Sequence, residues 1–260
     1  ATPIGNLKDI SIRALEILAA VDLIAAEDTR HTRRLLDHFE IKQRLIAFHD
    51  HNERRQTDLL VDRIKAGESV ALVSDAGTPL ISDPGFRLVR AARAAGVAIE
   101  AVPGASALTA ALSVSGLPTD QFQFLGFLPA KGRATRLAEV SQYPGTIILY
   151  EAPHRMASLL ETVLEVLGGD RELVICRELT KLYEQVVQGL AGEVRDQMIR
   201  GEIPARGEFV VLISGATIVQ SVAQIELDDC LRLLIAELPI SKAAELAGKM
   251  LGLRRNLVYK

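Results

Sequence analysis

The sequence predicts an α/β fold made of two α/β domains and a small helical tail. In the first part of the chain, short apolar runs end abruptly in Gly, Pro or Asp and are followed by helical patterns, as in parallel sheets. After Pro118 more strand-like runs appear, and those near 173 and 185 leave no room for a crossover helix, which predicts a mixed sheet. We therefore expect domains at 1–117, 118–217 and 218–260.

Composition limits the class of protein. At 260 residues, with 48% apolar and 24% charged residues, the chain is long enough for two globular domains. No apolar run reaches the roughly 18 to 20 residues that span a bilayer, and no signal-peptide pattern opens the chain, so we expect a cytoplasmic protein with no membrane partner. The net charge of −3 argues against a generally basic nucleic-acid-binding surface but leaves room for a local one.

Only two cysteines occur, Cys176 in a strand-like run and Cys230 in a helix-like run. We expect packed thiols, with neither a disulfide framework nor a metal site. The chain opens at Ala1 without methionine and stops at Lys260 inside a helical pattern, so both ends look trimmed. The change of pattern between Ala216 and Ile218 could hide omitted residues.

The central stretch, residues 70–85, reads VALVSDAGTPLISDPG. Its first five residues predict a buried parallel strand, and the following Gly and Pro residues predict a stiff loop. Ligands bind at the carboxyl ends of such strands because neighbouring loops diverge there. The pattern alone leaves a ligand-binding loop and a simple turn-rich connection about equally favoured.

Other strand-like runs end in polar or small residues as well. Residues 21–26 are followed by EDTRH, residues 99–102 by PGASA, and residues 146–150 by EAPHR. Arg30, Arg33 and either Lys131 or Arg133 are candidate phosphate contacts, whereas a solvated helix face explains most of the other basic residues. The remaining strands are expected at 45–49, 122–127, 173–177, 185–188 and 209–214.

The tail is predicted to be helical and similar to a helix-turn-helix. Pro239 should break the helical pattern, Ser241 should cap the next helix, and Gly252 should end it before Arg254 and Arg255. A helical bundle for dimerisation is equally compatible with this loose pattern.

Eight motifs occur in a fixed order: TPIGNLKDIS, AAEDTR, HDHNE, LVSDAGTPLISDPG, PGASA, FLGFLP, YEAPHR and ARGEFVVLI. Together they resemble the tetrapyrrole methylase superfamily over essentially the whole chain, and in particular its branch that acts on ribosomal RNA. The opening PIGN contains less glycine than the same loop in members that methylate tetrapyrroles, which favours the ribosomal RNA branch.

The resemblance implies two α/β domains with S-adenosylmethionine bound in the cleft between them, usually in a homodimer. It implies 2′-O-methylation of a cytidine in 16S rRNA of the small ribosomal subunit. A tetrapyrrole precursor as substrate, or a non-catalytic RNA-binding assembly factor, are the alternatives. The expected cofactor contacts, mostly through backbone groups, are Pro3, Asp75, Ala76, Gly77, Thr78, Pro79, Ile81, Ser106, Ala107, Phe127, Tyr150, Glu151, Pro204 and Ala205.

Methyl transfer to a ribose hydroxyl is helped by a base that removes the hydroxyl proton. Glu151 and Asp28, each at a predicted strand end, are the candidate bases, and Arg30 completes the expected catalytic set. Either carboxylate could instead pair with a neighbouring arginine or bind the cofactor amino group. No residues stand at metal-ligand spacing, so we expect no metal.

Overall fold

The computed structural model describes residues 1–216, 221–252 and 258, with only the backbone described at 221–227. The chain forms two compact units, Ala1–Gly215 and Ala216–Lys260. No helix in the described part of the chain is long and apolar enough to cross a membrane. The predicted division at residue 117 falls inside the first unit and stays a prediction.

The first sheet is parallel and has three strands in the order β2-β1-β3. Its strands are β1 (Leu23–Ala26), β2 (Leu45–Ala47) and β3 (Val70–Val73). The helices that accompany it are α1 (Ile12–Ala20), α2 (Thr29–His38), α3 (Glu53–Lys65) and α4 (Phe86–Ala94). Every residue of β1 is buried, as expected of the central strand in a sheet covered on both faces.

Alternate residues of β1 face opposite layers. Leu23 and Ala25 belong to an apolar cluster with α3 and α4, whereas Ile24 and Ala26 belong to a cluster with α1 and α2. This alternation follows from the two-residue period of a strand. The helix pairs therefore cover opposite faces, and α2, α3 and α4 all begin at the carboxyl edge of the sheet.

The second sheet is mixed, as predicted, with five strands in the order β4-β5-β8-β6-β7. Its strands are β4 (Phe122–Phe127), β5 (Thr146–Glu151), β6 (Glu172–Arg177), β7 (Gln185–Leu190) and β8 (Phe209–Ile213). Only β4 and β5 pair in parallel, and the other pairs are antiparallel. Its accompanying helices are α5 (Ala107–Val114), α6 (Arg133–Glu139), α7 (Met156–Leu167) and α8 (Ala191–Ile199).

The strand predicted at residues 99–102 is wrong. This segment contains no strand, and Ile99 and Glu100 are exposed. The Val102 carbonyl accepts a hydrogen bond from the Ala1 amino group instead of joining a ladder. A short apolar run becomes a strand only when a neighbouring strand pairs with it, and this segment has no such partner.

The tail contains α9 (Ser221–Glu237) and α10 (Ile240–Leu251), in agreement with a helix-turn-helix. Pro239 separates them and Gly252 ends α10 with a φ of 65°. The prediction that Ser241 caps α10 is wrong, because the Pro239 carbonyl accepts the first helical N–H groups and Ser241 lies within the first turn. The predicted basic end at Arg254 and Arg255 and the break at Ile218 lie outside the described residues.

We predict that Leu149→Ala destabilises the first unit by about 2–5 kcal/mol, because it leaves a cavity in the core of the second sheet. Leu149 is 0% exposed and packs in the largest apolar cluster. Urea unfolding followed by circular dichroism measures the change. The matched control is Ile199→Ala at the end of α8, where the side chain is 72% exposed and little change is expected. Equal unfolding midpoints for the two variants would contradict the prediction.

Candidate active site

Strand ends from both sheets line one cleft of about 390 Å³. The carboxyl ends of β1, β3, β4, β5 and β6 and the amino end of the antiparallel β8 all contribute to it. Its lining residues are Ile4, Glu27, Asp75, Ala76, Gly77, Thr78, Ile81, Ser82, Asp83, Ser106, Ala107, Phe127, Tyr150, Glu151, Ala152, Pro153, Cys176, Leu179, Gly207, Glu208, Phe209 and Val210. The cleft is mostly apolar, and its lining includes carboxylates from the parts of the chain that form each sheet.

The opening segment holds the central loop in place. Thr2 and Gly77 exchange two backbone hydrogen bonds of 2.8 and 3.0 Å, and the Thr2 hydroxyl donates to the Ser74 carbonyl at 3.1 Å. Gly77 has a φ of 84°, a conformation that other residues adopt only with strain, and an added Cβ would stand 3.3 Å from the Ile4 side chain. The sequence therefore needs glycine here for backbone geometry and for space.

Aromatic rings form the wall opposite the central loop. Tyr150 makes edge contacts with Phe124 and Phe127, at ring-centre distances of 4.8 and 5.6 Å. Its phenol oxygen accepts a hydrogen bond from the Leu108 N–H at 3.1 Å, which satisfies one of the free N–H groups at the start of α5. Burial raises the pKa of the Tyr150 phenol, so the group stays protonated near neutral pH.

Ser106 occupies the N-cap position of α5, but its hydroxyl makes no capping hydrogen bond. The sequence left capping and ligand contact as alternatives for this residue. Because the side chain lines the cleft, its hydroxyl is available to a bound molecule.

Glu151 lies buried between two arginines. Its carboxylate oxygens lie 3.2 Å from Arg133 and 3.1 Å from Arg155, and its side chain is 1% exposed. One oxygen also accepts the N–H of Ala152 at 2.9 Å. Arg133, offered above as a phosphate contact, is itself buried and also donates to Ser158. Both oxygens of Glu151 are therefore engaged in structural bonds.

Several predicted cofactor residues do not line the cleft. Pro3 and Pro79 lie beside it in the opening segment and the central loop, and Pro204 and Ala205 lie just before the lining residues Gly207 and Glu208. The buried Arg177 fixes this last loop by donating to the Arg206 carbonyl at 2.7 Å. The other ten predicted residues are in the lining: Asp75, Ala76, Gly77, Thr78, Ile81, Ser106, Ala107, Phe127, Tyr150 and Glu151.

Carboxylates cross-link the ends of β1 and β3. Glu27 accepts the N–H of Asp75 at 3.3 Å, and Asp75 accepts the N–H of Asp28 at 3.0 Å. Burial raises the pKa of Glu27, and the negative charges of Asp75 and Asp50 raise it further. These bonds fix the segments after β1 and β3 to each other where both segments reach the cleft.

Asp83 is the residue that the sequence reasoning missed. Burial raises the pKa of its carboxyl to about 6, the negative charges of Glu27, Asp75 and Asp50 add to this, and a hydrogen bond with Ser74 opposes it. No arginine or lysine forms an ion pair with Asp83 in the described part of the chain. The sequence could have pointed to Asp83, because this residue belongs to the SDAGTPLISDPG loop that was already expected to bind a ligand.

Asp28 and Arg30 do not line the cleft. Asp28 is the N-cap of α2, and its carboxylate accepts the Arg30 backbone N–H at 2.8 Å. The same carboxylate pairs with the Arg30 guanidinium at 2.8 Å. Hydrogen bonds from Arg30 hold the pKa of Asp28 well below its usual range, so it is a weak base.

Metal binding and thiol chemistry are the other two possibilities to consider for this part of the chain. Among residues 1–216, 221–252 and 258, no group of three or more His, Cys, Asp or Glu side chains is placed to hold a metal ion. Burial raises the pKa of the Cys176 thiol to about 12, so this cysteine is a packed, unreactive group. Both cysteines are free thiols.

Comparison with known proteins identifies the class. The family model described as Tetrapyrrole (Corrin/Porphyrin) Methylases matches residues 1–195, and the RsmI C-terminal HTH domain matches residues 221–260. The chain belongs to the tetrapyrrole methylase family. The matched range ends inside α8 and includes most of the cleft.

Relatives in this family match the chain over its full length. A Pseudomonas aeruginosa protein named ribosomal RNA small subunit methyltransferase I is 51% identical over 264 residues, covering 100% of this chain and 94% of its own length. An Escherichia coli O157:H7 protein of the same name is 48% identical over 261 residues, covering 100% of this chain and 91% of its own.

Solved structures share the fold at low identity. A diphthine synthase aligns with a TM-score of 0.62 and 15% identity, covering 85% of this chain and 90% of its own. A uroporphyrin-III-C-methyltransferase from Thermus thermophilus aligns with a TM-score of 0.57 and 19% identity, covering 82% of this chain and 91% of its own. These similarities establish the architecture alone.

We predict that Glu151→Gln lowers the free energy of unfolding by about 3–5 kcal/mol, because it leaves the buried Arg133 and the partly buried Arg155 without their counter-charge. Chemical unfolding of the purified variant measures the loss. Glu139→Gln removes the exposed partner of Arg136 and is the matched control, with an expected change of about 0–1 kcal/mol. A Glu151→Gln protein as stable as the wild type would contradict this structural role.

Proposed function

We propose that the protein transfers a methyl group from S-adenosylmethionine to the 2′-hydroxyl of a cytidine in 16S rRNA of the small ribosomal subunit. The observation that carries the proposal is the full-length similarity, tail included, to relatives named ribosomal RNA small subunit methyltransferase I. The cleft supports it because a concave, mostly apolar pocket contains the Asp83 carboxylate, which forms no ion pair with a described arginine or lysine.

The cleft fits S-adenosylmethionine in size and chemistry. Its volume lies within the range of roughly 300–1,000 Å³ that is usual for small-molecule sites. The backbone at Ala76 and Gly207 lies in the lining and can approach a ligand closely, and the aromatic wall of Phe127 and Tyr150 offers an apolar surface. The carboxylates Glu27 and Asp75 suit a cationic ligand. When bound, this cofactor supplies an electrophilic methyl group on its sulfonium sulfur.

Asp83 is the proposed general base for the acceptor hydroxyl. The Asp83 carboxylate would accept the proton of the acceptor hydroxyl while that oxygen takes up the methyl group. A carboxylate with a pKa of about 6 is a better proton acceptor than an ordinary aspartate and is still ionised at neutral pH. Geometry agrees, because Asp83 lines the cleft.

The two bases expected from the sequence have competing roles. Glu151 is enclosed by Arg133 and Arg155, and Asp28 is paired with Arg30 outside the cleft. Both oxygens of Glu151 are occupied by these bonds, and Asp28 does not face the cleft. We therefore assign Glu151 to positioning the strand end of β5, and Asp28 and Arg30 to the start of α2.

A homodimer and a cytoplasmic location complete the proposal. A folded rRNA must present its target nucleotide unstacked, and a second subunit would widen the surface that holds the surrounding RNA. The proposed substrate, a ribosomal subunit, places the reaction in the cytoplasm. Sedimentation of the purified protein measures the oligomeric state directly.

The test of the reaction is methyl transfer from labelled S-adenosylmethionine to purified small ribosomal subunits that lack 2′-O-methyl groups. Nuclease digestion followed by nucleoside mass analysis should recover the label as 2′-O-methylcytidine. Asp75→Ala, which removes the acceptor of the Asp28 N–H, should reduce the transfer. Cofactor binding without any transfer to subunits or free 16S rRNA would overturn the rRNA assignment and favour a tetrapyrrole substrate.

We predict that kcat/KM of the wild-type enzyme rises with pH up to about 6 and then levels off, because Asp83 must lose its proton before it can accept another. Asp83→Asn should lower kcat by roughly 10²- to 10⁴-fold and remove this limb of the profile. Single-turnover rates between acidic and neutral pH measure both effects.

The matched control is Asp50→Asn, which removes a neighbouring negative charge without altering a lining residue. It should lower the pH of the rise slightly and leave the plateau rate unchanged. An Asp83→Asn enzyme that keeps the wild-type rate, or that loses cofactor affinity in proportion to rate, would contradict the assignment as base.

A further inference from the structure

The outer face of α4 carries an exposed aromatic ring and two arginines in a line. Phe86, Arg90 and Arg93 are spaced i, i+4 and i+7, which places them on one side of the helix. Leu88 and Ala92 on the opposite side are buried against the parallel sheet. Phe86 is 65% exposed and both arginines are exposed. We call the line of Phe86, Arg90 and Arg93 the α4 outer face.

The α4 outer face begins at the rim of the cleft. Gly85, the N-cap of α4, is two residues after the proposed base Asp83. Glu53, the first residue of α3, accepts the N–H groups of Gly85 and Arg87 at 3.0 and 3.2 Å. The two helices therefore start together beside the cleft, and Arg54 and Arg55 in the first turn of α3 lie exposed there as well.

Stability of the fold explains only one of these residues, Arg93, which stands in the last turn of α4 where a positive charge is favourable. The amino end of a helix carries partial positive charge, so arginine is unfavourable in the first turns, where Arg54, Arg55 and Arg87 stand. Arg87 has Glu53 as partner, but no ion pair within the described ranges involves Arg54, Arg55, Arg90 or Arg93. An exposed phenyl ring likewise gains little from folding. Cationic side chains and an uncovered ring together match a ligand with both anionic groups and flat bases.

We propose that the α4 outer face binds the single-stranded RNA segment next to the target nucleotide, with Arg90 and Arg93 on phosphates and Phe86 stacked on an unpaired base. This proposal rests on the proposed function, since it describes how the rRNA substrate reaches the cleft. Arg54 and Arg55 extend the cationic surface on the α3 side. Single-stranded RNA suits the surface better than an acidic protein does, because bases stack on aromatic rings whereas acidic side chains do not.

The experiment measures affinity separately from catalysis. Fluorescence anisotropy with a short fluorescein-labelled single-stranded RNA containing one cytidine gives Kd for the wild type and for Arg90→Ala/Arg93→Ala. We expect Kd to rise about tenfold and the slope of log affinity against log salt to fall by about 1.4, as for two lost phosphate contacts on a single strand. Cofactor affinity, measured by calorimetry, should stay unchanged.

Phe86 is tested by paired substitutions. Phe86→Leu keeps an apolar side chain but removes the ring, and should weaken RNA binding about fivefold or more, with no change in the salt slope. Phe86→Tyr keeps the ring and should bind RNA as the wild type does. The matched charge control is Arg195→Ala/Arg200→Ala on α8, which removes two arginines elsewhere and should leave Kd within about twofold of the wild type.

Three outcomes would overturn the proposal. Unchanged RNA affinity in both α4 variants, with lost activity on intact subunits, would show that the surface docks a ribosomal protein. A dimer that becomes monomeric in these variants would show that a second copy covers the surface. An equal loss in the α8 control would reduce the effect to net charge. Because binding is measured without methyl transfer, a failure of the proposed reaction would leave this test intact.

Discussion

The backbone bridge between Thr2 and Gly77 is the constraint on which the cleft depends. Two hydrogen bonds join the opening segment to the central loop, and the Thr2 hydroxyl joins the opening segment to Ser74 at the end of β3. A loop that follows a strand would otherwise be free to move over the crevice. Because the bridge needs a positive φ at Gly77, the position of Ala76, Thr78 and Ile81 in the lining follows from one glycine.

Electrostatics divides the carboxylates around this cleft into two groups. Glu151 is as deeply buried as any charged residue that the structure describes, but Arg133 and Arg155 neutralise it, so it stabilises the end of β5. Asp83 has no such partner among the described side chains and faces further negative charge from Glu27 and Asp75. Carboxylates thus have two roles beside this cleft. Glu151, which is paired with arginines, stabilises the structure, whereas Asp83, which lacks an arginine partner among the described residues, is the proposed proton acceptor.

The shared fold does not determine the substrate. Diphthine synthase and uroporphyrin-III-C-methyltransferase have this architecture with less than a fifth of their residues identical to this chain. Differences in substrate must then arise where the cleft opens to solvent. In this protein we propose that the exposed ring and arginines of α4, a helix whose other side is buried in the core, contribute to this choice. A helix can therefore carry specificity on one face while the other preserves the fold.

The sequence by itself determined the elements whose signals are local. Apolar runs ending in Gly, Pro and Asp located β1, β3 and β5, and Pro239 and Gly252 marked the limits of the tail helices, because backbone restrictions act on neighbouring residues. The same local reasoning failed at residues 99–102, because an apolar run forms a strand only where a second strand pairs with it. The motif order was enough to identify the family and ten of the 22 residues that line the cleft.

Only the tertiary structure decided the roles of the carboxylates. Asp28 and Glu151 follow strands and Asp83 lies in the central loop, and although Arg30 and Arg155 stand near the first two along the chain, the sequence left open whether those carboxylates pair with them or act as bases. The decisive groups, Arg133 for Glu151 and Glu27 for Asp83, are 18 and 56 positions away along the chain. Charge interactions depend on distance in space and on burial, and both are set only when the two sheets bring their strand ends together.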